Sequence, residues 1–239
     1  MKQDSLSLSQ LMGLLHGEMN KHADPAKAVN MARYLKDQFA CYGIKTPVRN
    51  AIQKEWFKLV KNSDINHWDL VHNLWALDQR EYQYVAIDYL KKTPAKFIQE
   101  EDDKLLEEII TTKSWWDSVD LIASNYVGKY FLKFPERIEP VIGRWRKSDN
   151  LWLNRTCLIF QLKYKEKLDF ELLKSLIEEF KPNQEFFIQK AIGWSLRQHS
   201  KHDPEAVKTY LESAELKGLA LREASKYLWF LIAQLLKVL

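Results

Sequence analysis

Five side chains in this sequence have the types and spacing to do chemistry on a cation. Trp116 and Asp120 stand four residues apart, as do Lys190 and Trp194, and residues four apart on a helix share a face about one turn apart. A surface carrying two indole rings, a carboxylate between them and the Arg155 guanidinium beside it could hold a cationic group against aromatic faces with a fixed negative charge close by. Each residue also has an ordinary reading. Paired aromatics such as Trp115 and Trp116 usually fill a core, and Asp120 alone is more often a surface or salt-bridge residue, with Arg155 its obvious partner. Neighbouring helical residues point about 100° apart, so the two indoles cannot share one packing position: Trp115 is expected in the core and Trp116 on the open face.

For these residues to meet, the helices that carry them must stack in register. Val85, Asp120, Arg155 and Lys190 follow one another at intervals of 35 residues, each in an aromatic-led helical segment, and Leu221-Arg222-Glu223-Ala224 forms a slightly early terminal copy. A period of this length holds two helices and their turns, so the expected fold is all-α: a curved, right-handed-type solenoid of HEAT-like antiparallel helical pairs with one helix of each pair on the concave surface. Residues 1–239 are expected to form one repeat domain, with the register clearest over 80–226. Asp120, Arg155 and Lys190 should then be spatial neighbours.

Composition agrees with helices. Seven Gly and seven Pro in 239 residues are too few to punctuate a strand-rich domain, and about twelve helices can be counted. Asp24-Pro25, Thr46-Pro47, Thr93-Pro94 and Asp203-Pro204 look like helix starts, a polar cap followed by Pro in the first turn. Cys41 and Cys157 lie far apart without zinc or redox spacing, which points to a reduced, cytoplasmic protein. The longest apolar run, Tyr227 to Leu236, is too short to cross a bilayer of ~30 Å and reads as a capping or docking helix. A net charge of +4 only permits a polyanion partner. Its distribution says more: seven basic residues against two acidic ones between Ile142 and Lys167, and six carboxylates between Glu100 and Glu108, suggest a basic face and an acidic back.

Other chemistries lack their signatures. There is no phosphate-binding glycine loop and no nucleophile elbow. The pairs His199/His202 and His67/His72 have no convincing third ligand, so surface histidines are expected and no metal or organic cofactor.

Several blocks, in order, resemble the AlkD-type alkylpurine DNA glycosylases: Thr112-Lys113-Ser114-Trp115-Trp116-Asp117-Ser118-Val119-Asp120, then Ser148-Asp149-Asn150-Leu151-Trp152-Leu153-Asn154-Arg155, Phe160-Gln161-Leu162-Lys163-Tyr164-Lys165, and Glu185-Phe186-Phe187-Ile188-Gln189-Lys190-Ala191-Ile192-Gly193-Trp194. Met31-Ala32-Arg33-Tyr34 is a weaker match upstream. The resemblance implies that Trp116 and Trp194 flank the lesion-bearing nucleotide, that Asp120 is the catalytic carboxylate, and that Arg155 and Tyr34 help to bind DNA. Lys113, Lys163, Lys165, Lys190 and Arg197 would meet phosphates.

The implied activity is hydrolysis of the N-glycosidic bond of cationic N3- or N7-alkylated purines in duplex DNA, monofunctional and without deep base flipping. The enzyme would be a bacterial-type cytoplasmic monomer acting at the nucleoid, with no obligate protein partner and no membrane partner. The alternative is a non-catalytic HEAT-like protein that binds distorted or branched DNA.

Overall fold

The computed structural model describes residues 5–235, and the chain folds as two compact units that divide after Thr93. Among the described residues there is no β-strand, only an isolated bridge between Ala40 and Gln79. The first unit holds α1 (Leu8–Lys21), α2 (Pro25–Tyr34), α3 (Thr46–Lys61), α4 (His67–Ala76) and α5 (Arg80–Lys92). The second holds α6 (Asp102–Thr111), α7 (Trp116–Ile122), α8 (Gly128–Lys133), α9 (Ile138–Trp145), α10 (Leu151–Ile159), α11 (Phe170–Phe180), α12 (Phe186–His199), α13 (Pro204–Ser213) and α14 (Gly218–Leu235).

The second unit is built of helical pairs whose inner members stack in chain order. Helix α10 packs between α7 and α12, and α12 packs on α14, while α9, α11 and α13 lie behind them. The outer helices are one-sided: α11 buries Leu173, Leu176, Ile177 and Phe180, the i, i+3, i+4, i+7 stripe of a helix with one face on a core. Helix α10 is buried all round from Leu153 to Ile159, as a helix with neighbours on every side must be. The expected all-helical repeat is the observed fold.

One device recurs from pair to pair. The last carbonyls of a helix have no partner within it, and an amide from the following inner helix repeatedly supplies one. Gln83 donates to the carbonyls of Leu74, Trp75 and Leu77 at the end of α4. Asn154 donates to Trp145 and Ser148 at the end of α9, each at 2.9 Å. Gln189 does the same for Lys181 and Asn183 beyond α11. These amides fix the elbow between the two helices of a pair, and with it the rotation of each inner helix.

Two of the four Pro-marked helix starts hold: Asp24 and Asp203 cap α2 and α13 through their side chains. Thr46 is instead the first residue of α3, whose N-cap is Lys45, and Thr93 closes α5 before a single 3₁₀ turn. Pro forbids helical backbone in the residue before it only in part, so Thr-Pro does not identify a cap without the flanking geometry.

The basic face and acidic back are also corrected. Arg144 bonds Asp103 at 3.1 Å and Glu107 at 2.7 Å, Arg137 pairs with Asp103, and Arg146 pairs with Glu179. The two charge runs therefore meet, in part, as ion pairs across the outer helices. Nor are all four histidines superficial: His199 is buried against Phe170, ring centroids 4.5 Å apart, and His67 and His72 are half-buried. No described helix is long and apolar enough to cross a membrane. Leu236, the end of the apolar C-terminal run, lies outside the described residues.

Replacing Asn154 with Ala removes its bonds to the Trp145 and Ser148 carbonyls and leaves Trp145 with only the Ser148 amide, so a loss of about 1–2 kcal/mol is expected, read as a lower urea midpoint for the second unit by tryptophan fluorescence.

Candidate functional site

The site begins at the α6–α7 turn. Lys113 takes a left-handed φ of 47° there, and Trp115 follows as the extended N-cap of α7. Its extended backbone turns the indole away from the open face to pack edge-on against Trp152 and Phe187, centroids 5.7 and 5.4 Å away, while Trp116, the first residue of α7, lines an open cleft. Trp116 takes the open face as expected, whereas Trp115, expected in the core, is only half-buried in this aromatic cluster.

One turn after Trp116, Asp120 meets Arg155 of α10. The pair is bidentate, Nε to Oδ1 at 2.7 Å and Nη2 to Oδ2 at 2.9 Å, and the third guanidinium nitrogen, Nη1, donates to the Phe187 carbonyl of α12. Arg155 thus ties three successive inner helices together. Its side chain is only 5% exposed and that of Asp120 15%. Burial pushes the Asp120 carboxyl above the ordinary aspartate range; the Arg155 hydrogen bonds and charge oppose this in part, and Asp117 adds a repulsion in the same direction as burial.

Immediately beyond Asp120 the helix widens. Residues Ala123–Val127 form a π-turn in which the Gly128 amide donates to Ala123, five residues back, and Ser124 Oγ donates to the Asp120 carbonyl at 2.7 Å. Such insertions are frequent at functional sites. Gly128 lets the end of α10 approach this turn closely: a Cβ there would lie 2.8 Å from the Phe160 carbonyl oxygen. Nothing in the local sequence announces a π-turn, and it went unforeseen.

Across the cleft, α12 supplies Lys190, Trp194 and Arg197, and α14 supplies Glu223. The Glu223 side chain, 4% exposed, receives Lys190 at 2.9 Å, Arg197 at 2.8 Å and Lys226 at 2.7 Å. Burial alone would raise its pKa, but the hydrogen bonds and charges of Lys226 and Lys190 outweigh that and hold it at about 2. Its position depends on Gly193: a Cβ there would fall 2.4 Å from Glu223 Cβ and 2.7 Å from the Ala220 carbonyl oxygen, so only Gly lets α14 come this close to α12.

The result is a cleft of about 260 Å³ lined by Trp116, Asp120, Arg155, Phe186, Phe187, Lys190, Trp194, Arg197 and Glu223. Of the residues singled out in the sequence, it gathers Trp116, Asp120, Arg155, Lys190, Trp194 and Arg197. Lys113, Lys163 and Lys165 do not line it. Lys163 donates to Asn125 beside the π-turn, Lys165 is exposed with a left-handed φ of 54°, and Tyr34 is an exposed residue of the first unit. Among the described residues no group of His, Cys, Asp and Glu is arranged to hold a metal ion. Glu223 is the residue sequence reasoning underrated. It appeared only as part of a terminal repeat, because it pairs with Lys190 over 33 residues rather than 35.

Residues 15–228 match the family model described as DNA alkylation repair enzyme. No curated protein matches the chain. Among solved structures, a predicted DNA alkylation repair enzyme from Enterococcus faecalis is 35% identical, with a TM-score of 0.79, 87% of this chain covered and 97% of that one. Two Streptococcus mutans structures share the fold at lower identity. AlkD2 is 17% identical with a TM-score of 0.57, covering 84% of this chain and 98% of that one. The smu.31 protein of strain UA159 is 18% identical with a TM-score of 0.56, over the same shares.

The raised carboxyl of Asp120 carries a sign. A folded-state pKa above the unfolded value, ~3.9 for aspartate, means that the group's contribution to stability is fully present below the unfolded pKa and is lost as pH rises through the folded one. A ¹³C titration of the Asp120 carboxyl should show a midpoint above that reference, and Arg155→Gln should move it higher still; a midpoint at or below ~3.9 would mean that Arg155 outweighs burial.

Proposed function

Given that the chain belongs to the DNA alkylation repair enzyme family, we propose that it is a DNA glycosylase that hydrolyses the N-glycosidic bond of cationic N3- or N7-alkylated purines in duplex DNA. The observation that carries this reading is the half-buried Asp120 carboxylate facing a cleft bordered by Trp116 and Trp194. Asp120 has a single cation beside it, Arg155, and shares the cleft with two indole faces, an arrangement suited to positive charge that develops there.

The chemistry asks for little else. A purine alkylated at N3 or N7 already carries a positive charge, so it departs with the electron pair of the C1′–N bond and becomes neutral without being protonated. Positive charge passes to C1′ and O4′ of the deoxyribose. The fixed Asp120 carboxylate stabilises that oxocarbenium-like state in a site of low dielectric. A water then adds to C1′, and its proton goes to the carboxylate or to solvent. The products are the free base and an abasic site.

Trp116 and Trp194 would hold the nucleotide through cation–π and sugar contacts. Arg155, with all its nitrogens engaged, serves here as the positioning residue that aims Asp120 and favours its ionised form. Phosphate binding falls to Lys190 and Arg197 at the cleft and to Lys113, Lys163 and Lys165 outside it, and Tyr34 of the first unit is a further DNA-binding residue. An open cleft suits a base that stays stacked, without the snug pocket that flipped bases require. The same residues describe a monofunctional enzyme, since water and not an amine is the nucleophile.

Duplex DNA with a single N7-methylguanine is the direct substrate. The protein should release free base, and Asp120→Asn should lower the single-turnover rate ~100-fold or more, equivalent to ~2.7 kcal/mol of transition-state stabilisation. The rate of the unaltered protein should fall on acidification as Asp120 takes up a proton. Binding without release would favour the non-catalytic DNA-binding reading, in which Asp120–Arg155 is only a structural ion pair.

A further inference from the structure

The carboxylate of Glu223 has three cations around it and is itself nearly inaccessible. Lys190 and Lys226 share Oε1, and Arg197 takes Oε2. Lys190 and Arg197 project from one side, on α12, and Lys226 from the other, on α14. Three positive groups to one negative leave two positive charges in surplus at the rim of the cleft. The cations retain access to solvent while the anion does not: 37%, 29% and 50% exposure for Lys190, Arg197 and Lys226 against 4% for Glu223.

An ion pair made only for stability would satisfy one cation with one carboxylate and leave the remainder apart, since like charges this close repel. Here three are drawn to one point. The carboxylate is also immobile, because Gly193 lets α14 press on α12 with Glu223 Cβ at the contact. Each cation therefore has some of its donors on a fixed internal anion and others turned outwards. A lysine with three donors and an arginine with five have enough for both.

We propose that Lys190, Arg197 and Lys226 form a single seat for one DNA phosphate, with Glu223 as the residue that positions them. The seat gives Lys226 a role that the cleft itself does not show, and it rests on the reading of the protein as one that acts on DNA. Glu223 has two effects. It holds three flexible side chains at one point, so that a phosphate meets donors already in place. It also removes one charge, which restrains non-specific attraction to undamaged duplex and leaves the backbone free to move until the lesion lies at Asp120.

Binding of an undamaged duplex at a series of KCl concentrations tests this directly, because the slope of log K against log salt counts the phosphates neutralised, at ~0.9 each on duplex DNA. Lys226→Gln, at an exposed position, should weaken binding several-fold and flatten the slope. Glu223→Gln should tighten binding several-fold and steepen it, while slowing single-turnover release of N7-methylguanine. Should Glu223→Gln fail to fold, the Lys190→Gln/Lys226→Gln pair decides. One shared phosphate requires the double variant to lose ~0.9 in slope altogether; a loss of ~1.8 means two separate phosphates and overturns the seat. Lys226→Gln with unaltered affinity and slope overturns it as well. If the slopes change as expected but the unaltered protein releases no base, the glycosylase reading fails and the seat stands. If base is released and every variant keeps the original slope, the reverse holds.

Discussion

The buried ion pair between Asp120 and Arg155 is the constraint on which the rest of the site depends. Burying either charge alone would cost several kcal/mol, so the pair demands bidentate geometry and a partner for the remaining guanidinium donor, which the Phe187 carbonyl supplies. That requirement locks α7, α10 and α12 to one another. It also limits what Arg155 can do: a guanidinium with every nitrogen engaged is a support for the carboxylate before it is a ligand for anything else. The family resemblance implies DNA binding by Arg155; the geometry gives this side chain a prior duty towards Asp120.

The support is effective because α10 and α12 are already held in rotation. Asn154 and Gln189 reach back to the end of the preceding outer helix, and they sit next to Arg155 and Lys190 in sequence. Neighbouring residues point about 100° apart. When the amide is turned into the pair elbow to satisfy carbonyls, the next side chain is turned towards the cleft. Gln83 repeats the device in the first unit. The capping requirement of one helix thus sets the direction in which the functional side chain of the next one points.

This coupling explains what was legible in the sequence. The 35-residue interval placed Asp120 beside Arg155 and brought Lys190 to the same cleft, because inner helices stacked at that interval present equivalent positions to the same surface, with the amide elbow holding α10 and α12 in that register. Trp116 and Trp194 followed from helical geometry alone. What escaped lay where the rule is broken or where linear charge counts were used in place of layers. The π-turn after Asp120 adds a residue with no local signal beyond Gly128, and the terminal pair is shorter, so Glu223 fell outside the register. The acidic run of α6 and the Arg144 and Arg146 end of the basic run were assigned to opposite faces, although they belong to outer helices whose charges pair.

The two carboxylates of the cleft are held in opposite electrostatic states, and the difference assigns their work. Asp120 has one cation, and burial still lifts its pKa; its negative charge is under-compensated, so positive charge arising beside it is strongly stabilised. Glu223 has three cations and a pKa held at about 2; its charge is over-compensated, and its surroundings attract anions instead. Under the proposed function, two acidic side chains on α7 and α14, with α10 and α12 between them, would thus offer one end of the cleft to a cationic sugar and the other to a phosphate. An exchange of their partners would abolish both roles, because an Asp120 enclosed by three cations would meet a developing oxocarbenium with net repulsion. The separation between a carboxylate short of counter-charge and one in excess of it is therefore the electrostatic polarity that a glycosidic bond and its flanking phosphate would each require.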